Sequence, residues 1–201
     1  MPSKNIIREY SEGNFYHIYN RGVEKRSIFM SDKDYKVMLN MLARHLRPEN
    51  ETDLYGREYV NYSESVDLLA YCLMPNHFHL LVYLKQKEGA VQLMQSVMTA
   101  YVKYFNEEYD RVGGLFQSRY KASRIDSESY LWHISRYIHL NPRNWRKYEY
   151  SSLANYLDGK QSSWINTDRV KAMNKENGVN YINFLRDYED FKANSLSTIA
   201  D

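Results

Sequence analysis

The fold of this chain can be worked out from one stretch, Met74-Pro75-Asn76-His77-Phe78-His79-Leu80-Leu81-Val82. Its Pro-Asn pair predicts a tight turn, and the apolar residues that follow predict a buried strand. Side chains alternate between the two faces of a strand, so His77 and His79 point to one face while Phe78 and Leu80 point to the other. Two imidazoles at this spacing form either a preorganised pair of metal ligands or a packed, hydrogen-bonded pair with a structural role.

Length and composition favour an ordinary soluble protein of one domain, residues 1–201. The chain has 201 residues, of which 43% are hydrophobic and 26% are charged. No apolar run approaches the roughly 20 residues that span a bilayer, and the polar residues 1–10 lack a signal-peptide core. We therefore expect a cytoplasmic protein that does not enter a membrane. The single cysteine, Cys72, lies in an apolar run and is predicted to be a small core residue.

Positive charge is concentrated in one part of a chain whose formal net charge is only +2. Residues 111–147 contain eight Lys or Arg and two acidic residues, Asp126 and Glu128. This local excess predicts a surface that faces phosphate groups, although a solvated basic face gives the same pattern. Tyrosine is also frequent, at 20 residues, and tyrosine mixed with basic residues suits single-stranded nucleic acid.

Periodic segments on both sides of the histidine stretch predict alternating strands and helices. They are, in chain order, a strand at Asn14–Asn20, a helix from Asp32 to about Arg47, a strand at Ser65–Met74, the histidine strand, a helix at Gly89–Glu108 and a strand at Leu115–Ile125. Residues Glu49–Glu64 are predicted to form a loop or a short hairpin. This order is the split βαβ arrangement. It predicts an α+β, ferredoxin-like (RRM-like) antiparallel sheet with helices on one face and the other face able to bind a ligand.

A further helix is predicted at Tyr130–Leu140, after a cap at Asp126–Ser129 and before the Asn141-Pro142 stop. His133, Tyr137 and Asn141 recur every four residues and therefore share a face. A phenol and a carboxamide one turn apart could supply a nucleophile and a third metal ligand. An edge tyrosine with a helix-ending asparagine is the alternative. A helical extension, residues 158–201, is predicted to follow a core at about 14–157.

Four motifs together resemble the single-tyrosine HUH transposases, and more closely the REP-associated tyrosine transposases. They are Met-Pro-Asn-His77-Phe78-His79-Leu-Leu-Val, Leu115-Phe116-Gln117-Ser118-Arg119-Tyr120-Lys121, Arg136-Tyr137-Ile138-His139-Leu140-Asn141-Pro142 and Tyr150-Ser151-Ser152. The likeness covers about Phe15 to Leu157. It implies a metal-dependent nuclease and strand transferase that acts on single-stranded DNA, often at the foot of an imperfect hairpin.

The resemblance also implies residue roles. His77 and His79 match the metal ligands, Tyr137 matches the catalytic nucleophile, and Asn141 matches the polar residue that completes the metal site. The implied metal is Mg²⁺ or Mn²⁺, and the implied product is a 5′-phosphotyrosine link with a free 3′-hydroxyl. The basic residues that we expect to contact nucleic acid are Arg119, Lys121, Arg124 and Arg136. Some relatives form a homodimer in which the tyrosine helix acts in trans, and the sequence leaves that open.

Two rival functions remain at this point. A non-catalytic protein could bind single strands on the same sheet by stacking, and it would need neither a metal nor Tyr137. A zinc hydrolase could use His77, His79 and a third ligand such as His17 or His133, with a zinc-activated water in place of a covalent adduct. For His17 itself, a core or cross-strand role is the favoured interpretation.

Overall fold

The architecture is described from a computed structural model of the chain, over residues 9–157, 161–177 and 180–188. The elements that position the site are β1 (Asn14–Arg21), α1 (Asp32–Leu46), β2 (Val66–Met74), β3 (His77–Leu84), α2 (Gly89–Glu108), β4 (Lys121–Ile125) and α3 (Glu128–His139). Two helices follow in the C-terminal part, α4 (Leu153–Tyr156) and α5 (Asp168–Asn177). Residues 181–188 are also helical.

The four strands form one antiparallel sheet in the order β2-β3-β1-β4. This order, with α1 and α2 as the two connections, is the ferredoxin-like arrangement that the sequence predicts. The two central strands, β1 and β3, pair along their whole length from Asn14 opposite Leu84 to Arg21 opposite His77. The end of β1 therefore lies beside the start of the histidine strand.

The two faces of the sheet are covered by different helices. Phe78, Leu80 and Val82 pack with residues of α1 and α2 in one apolar cluster. Leu81 of the opposite face packs with residues of α3, α4 and the 181–188 helix in a second cluster. Helices cover part of this second face, because β2 and β3 carry apolar side chains on it as well, among them the fully buried Cys72.

The fourth strand is shorter than predicted, because β4 begins at Lys121 rather than at Leu115. Leu115 is buried in the first apolar cluster, and Phe116 makes only an isolated bridge to Gly22. The side-chain amide of Asn20 then donates to the carbonyl of Ser118 at 3.0 Å, so a side chain replaces the strand ladder here. Residues 117–120 consequently form a connection that leads into β4.

Other predictions have mixed outcomes. In the 49–64 region an isolated antiparallel β-bridge pairs Thr52 with Glu58, as expected of a short hairpin. Within the described ranges no helix is long and apolar enough to cross a membrane. Residues 1–8 lie outside the described residues, as do residues 158–160, 178–179 and 189–201 of the predicted 158–201 extension. The one-domain organisation stays a prediction.

Candidate metal and tyrosine site

The centre of the site is the pair of histidines at the start of β3. Strand alternation places both side chains on the face that α3 covers, and their rings lie 5.1 Å apart at an interplanar angle of 85°. His79 is 4% exposed, whereas His77 is half-buried at the rim. The perpendicular rings turn their Nε2 atoms toward the same point, the side chain of Asn141.

Asn141 bridges the two histidines from the end of α3. Its Oδ1 lies 3.1 Å from Nε2 of His77, and its Nδ2 lies 3.4 Å from Nε2 of His79. Because the two ends of a carboxamide exchange places when the group rotates, the amide oxygen can face either imidazole. Two ring nitrogens and an amide oxygen therefore meet in one place, which is a neutral set of three donors for a metal ion.

Tyr137 lies one turn before Asn141, beside the same histidines. Its ring is 5.4 Å from the ring of His79 and 6.0 Å from that of His17, and 41% of the residue is exposed. Partial burial raises the pKa of the Tyr137 phenol, and a hydrogen bond with Asn141 offsets part of that rise. The phenol is therefore protonated at neutral pH, and it is open to a ligand that approaches from solvent.

Each histidine of the pair has a second partner on its other ring nitrogen. Nδ1 of His77 lies 2.7 Å from Oδ1 of Asn76, the turn residue before it. Nδ1 of His79 lies 2.9 Å from Nε2 of His17 on β1. His17 is thus a cross-strand partner of His79, as the sequence analysis favoured.

Burial keeps these histidines neutral. Burial is the main cause that lowers the pKa of His79, and the neighbouring His17 and His77 lower it further. Burial also lowers the pKa of His77; the hydrogen bond with Asn141 opposes this effect, and the charge of Arg21 adds to it. The pKa of His17 falls to about 4 for the same reason of burial. Neutral imidazoles offer the lone pairs that a metal ion requires.

A buried polar network holds α3 against the sheet. Nε2 of His139 lies 2.8 Å from Oγ of Ser152, which accepts the backbone N–H of Tyr71 in β2 at 2.8 Å. Nδ1 of His139 lies 2.6 Å from the hydroxyl of Tyr181, in the 181–188 helix. His139 and Ser152 lie within the sequence motifs quoted above, which assign them no role. A polar histidine between the apolar Ile138 and Leu140 was the available signal.

The predicted nucleic-acid contacts are only partly brought to this face. Lys121 is exposed and pairs with Tyr19, so it lies on the same face as the histidines. Arg119 is exposed just before β4. Arg124 pairs with Tyr16 and so faces the opposite side of the sheet, where it forms an ion pair with Asp126 at 3.0 Å.

Arg136 and His133 lie on α3, and their contacts are with residues other than the histidine pair. The Arg136 guanidinium stacks over the rings of Phe184 and Tyr188, at 4.3 and 4.4 Å from their centroids. His133 is exposed, and its Nδ1 lies 2.7 Å from the same guanidinium. His133 shares a helix face with Tyr137, yet it makes no contact with His77 or His79.

Arg21 is a further cation beside the histidine pair, and it is not among the nucleic-acid contacts that the sequence predicted. It stands directly opposite His77 in the β1–β3 register. Its Nε is buried and has no hydrogen-bond partner among the described residues. Its place at the end of β1, two residues after Tyr19 and on the same face, is a signal that strand alternation alone could have supplied.

The residues at this site could hold a metal ion only with two histidine nitrogens and one amide oxygen, from His77, His79 and Asn141. In the parts of the chain that the structure describes, no group of three or more His, Cys, Asp or Glu residues could hold a metal ion. The zinc site of the sequence analysis is therefore not assembled there. His17 meets the Nδ1 side of His79 rather than its Nε2 side, and His133 contacts Arg136 instead.

Comparisons with known proteins identify a family and a solved structure of similar fold. The sequence model of the family described as "Transposase IS200 like" matches residues 29–141. A solved structure described as a REP-associated tyrosine transposase bound to a REP hairpin is similar in fold, with a TM-score of 0.53 at 16% sequence identity. The similarity covers 80% of this chain and 93% of that one. No curated protein matches the sequence significantly.

Proposed function

The chain belongs to the IS200-like transposase family, and from that premise we propose that it is a metal-dependent single-stranded DNA endonuclease and strand transferase. The observation that carries the proposal is the ring of Tyr137, 5.4 Å from a histidine whose Nε2 meets the amide of Asn141. A nucleophile, two imidazoles and an amide oxygen are the groups that such a reaction needs.

The proposed metal ligands are His77, His79 and Asn141, and the proposed metal is Mg²⁺ or Mn²⁺. When bound, the cation supplies positive charge that offsets the charge developing on the scissile phosphate. The three ligands are neutral, since burial lowers the pKa of both histidines. They leave the full charge of the ion available to the phosphate.

Tyr137 is the proposed nucleophile. Its hydroxyl oxygen loses a proton to solvent and attacks phosphorus, forming a phosphotyrosine bond as the bond from phosphorus to the 3′ oxygen breaks. The 3′ oxygen takes up a proton and leaves as a free hydroxyl. A second strand's 3′-hydroxyl can run the same step in reverse, so cleavage and rejoining need no ATP. Because burial raises the pKa of the phenol, deprotonation is a costly part of the step at neutral pH.

The proposed substrate is single-stranded or hairpin DNA. The related fold described above was solved with a REP hairpin. On this chain, Lys121 lies on the face of the histidine pair, and Arg21 is the cation opposite His77. We assign Arg21 to contact the scissile phosphate. Lys121 and Arg119 are assigned to neighbouring phosphates of the DNA strand. Arg21→Gln should therefore weaken both hairpin binding and cleavage, and unchanged cleavage would remove Arg21 from the site.

The proposed site needs residues from one chain only, because Tyr137, Asn141 and both histidines meet within it. A homodimer with exchanged tyrosine helices is not required. Whether the protein also dimerises stays a prediction.

The test uses labelled single-stranded hairpin oligonucleotides from DNA that flanks the gene, incubated with protein and Mn²⁺ and separated on a denaturing gel. A labelled band at protein size is expected, and both a chelator and Tyr137→Phe should abolish it. Tyr130→Phe, on the same helix, is the matched control and should keep the band.

Two other outcomes would overturn the proposal. Cleaved DNA without a protein-sized band would indicate an activated water as the nucleophile. DNA that is bound and never cut, across several metals and sequences, would indicate the non-catalytic binding protein.

A further inference from the structure

His17 and His79 meet through the register of the central strands. Tyr19 stands directly opposite His79, and His17 stands opposite Leu81, so His17 is the diagonal neighbour of His79 on the same face. The two rings are stacked, with centroids 5.0 Å apart and planes inclined by 26°. Nε2 of His17 lies 2.9 Å from Nδ1 of His79, and the two residues are 2% and 4% exposed.

This contact exists in two forms, because a neutral imidazole carries one N–H. In the first form Nδ1 of His79 donates to Nε2 of His17, and the lone pair on Nε2 of His79 faces Asn141. In the second form His17 donates, and the hydrogen of His79 sits on Nε2, where it occupies the position of a metal. Only the first form lets His79 act as a ligand.

The surroundings of His17 argue against a purely packing role. In the first form its own hydrogen is on Nδ1, and that atom is buried with no hydrogen-bond partner among the described residues. An unpaired buried donor is unfavourable for folding, and an apolar side chain would avoid it. His77, by comparison, has an acceptor at the same place, Oδ1 of Asn76 at 2.7 Å from its Nδ1.

We propose that His17 is a positioning residue for the metal site: by accepting the N–H of His79, it holds the Nε2 lone pair of His79 toward Asn141. The role rests on the proposed function, since it has a purpose only if His79 is a ligand. Acceptors on the outer nitrogen of a ligating histidine commonly fix its tautomer and its ring orientation.

The test compares two substitutions in the full-length protein. His17→Phe keeps a planar ring of similar size and removes the acceptor, whereas His17→Gln offers an amide oxygen near the position of Nε2. Mn²⁺ affinity is measured by calorimetry without DNA. Phe should weaken binding about 10- to 100-fold, and Gln should recover most of the loss. His133→Phe, an exposed histidine on α3, is the control and should bind as the wild type does.

Two further readouts do not need the metal. Long-range ¹H–¹⁵N NMR of the metal-free protein should find the hydrogen of His79 on Nδ1 in the wild type and on Nε2 in His17→Phe. Thermal unfolding in chelator should show a folded His17→Phe protein whose stability changes little, since the unpaired Nδ1 of His17 is removed while Nδ1 of His79 loses its partner.

Unchanged Mn²⁺ affinity in a folded His17→Phe protein, or a wild-type His79 with its hydrogen on Nε2, would overturn the positioning role. Affinity in His17→Gln no better than in His17→Phe would also count against it. Failure of the proposed metal site would look different, because the wild-type protein itself would then bind no Mn²⁺.

Discussion

Acidification should destabilise this protein through His139, whose side chain joins α3 to the sheet. His139 is fully buried between Ser152 and Tyr181, and burial lowers its pKa to about 3. In the unfolded chain its pKa returns to the ordinary value of 6.5. Between these two values the unfolded chain binds the extra proton. The stability that His139 contributes is therefore complete above pH 6.5 and is lost as the pH falls toward 3.

The size of the effect follows from the two pKa values. From pH 7 to pH 5 the folded state stays unprotonated at His139, whereas the unfolded state gains about 2 kcal/mol of protonation free energy at 25 °C. The free energy of unfolding should fall by that amount from this residue alone. The lowered pKa values of His17 and His79 act in the same direction.

The assay is urea unfolding, followed by circular dichroism, of the wild type and His139→Gln at pH 7 and pH 5. Gln does not titrate, so the fall in unfolding free energy between the two pH values should be about 2 kcal/mol smaller in the variant. Any loss of packing or hydrogen bonding in the variant is present at both pH values and cancels. The matched control is His133→Gln, which should change the fall far less because His133 is exposed.

An equal fall in the wild type and in His139→Gln would refute the reasoning. It would mean that His139 is accessible to protons in the folded protein. The docking of α3 through Ser152 and Tyr181, and with it the position of Tyr137, would then be wrong.

Three further predictions concern the site and its support. Asn141→Ala should weaken Mn²⁺ binding about tenfold or more by calorimetry, because one of three donors is lost; unchanged affinity would exclude Asn141 as a ligand. The rate of covalent adduct formation should rise between pH 6 and pH 9, because the pKa of the Tyr137 phenol is raised and deprotonation limits attack; a rate that is flat with pH in single-turnover assays would contradict this. Ser152→Ala should destabilise the protein by about 1–3 kcal/mol, because it leaves the Tyr71 N–H and Nε2 of His139 unpaired. Ser151→Ala is the control and should cost much less, since its hydroxyl makes only 3.4 Å contacts.

Much of the fold could be predicted from the sequence, because the relevant patterns are local. Alternation along the stretch before Val82 assigned Phe78 and Leu80 to one face and both histidines to the other. Helical periodicity predicted α2 with the bounds that the structure has, Gly89–Glu108. These patterns depend on the pitch of a helix or the pleat of a strand, and neighbours along the chain are enough to reveal them.

The start of β4 was predicted wrongly, and it depends, like the packing of the helices on the sheet, on distant parts of the chain. Strand β4 is short because the side chain of Asn20, 98 residues away, takes the carbonyl of Ser118. How far helices cover the second sheet face depends on where α3 and the C-terminal helices pack.

For the site, the sequence by itself determined which residues to consider, His77, His79, Tyr137 and Asn141, while their catalytic and metal-binding roles stay predictions. Only the tertiary structure decided that Asn141 reaches both Nε2 atoms and that His17 meets Nδ1 of His79 across 62 residues of chain. The physical reason is the short range of a hydrogen bond. Its partners are chosen by the register of β1 against β3 and by the docking of α3 to within a few tenths of an ångström, and no local pattern contains that information.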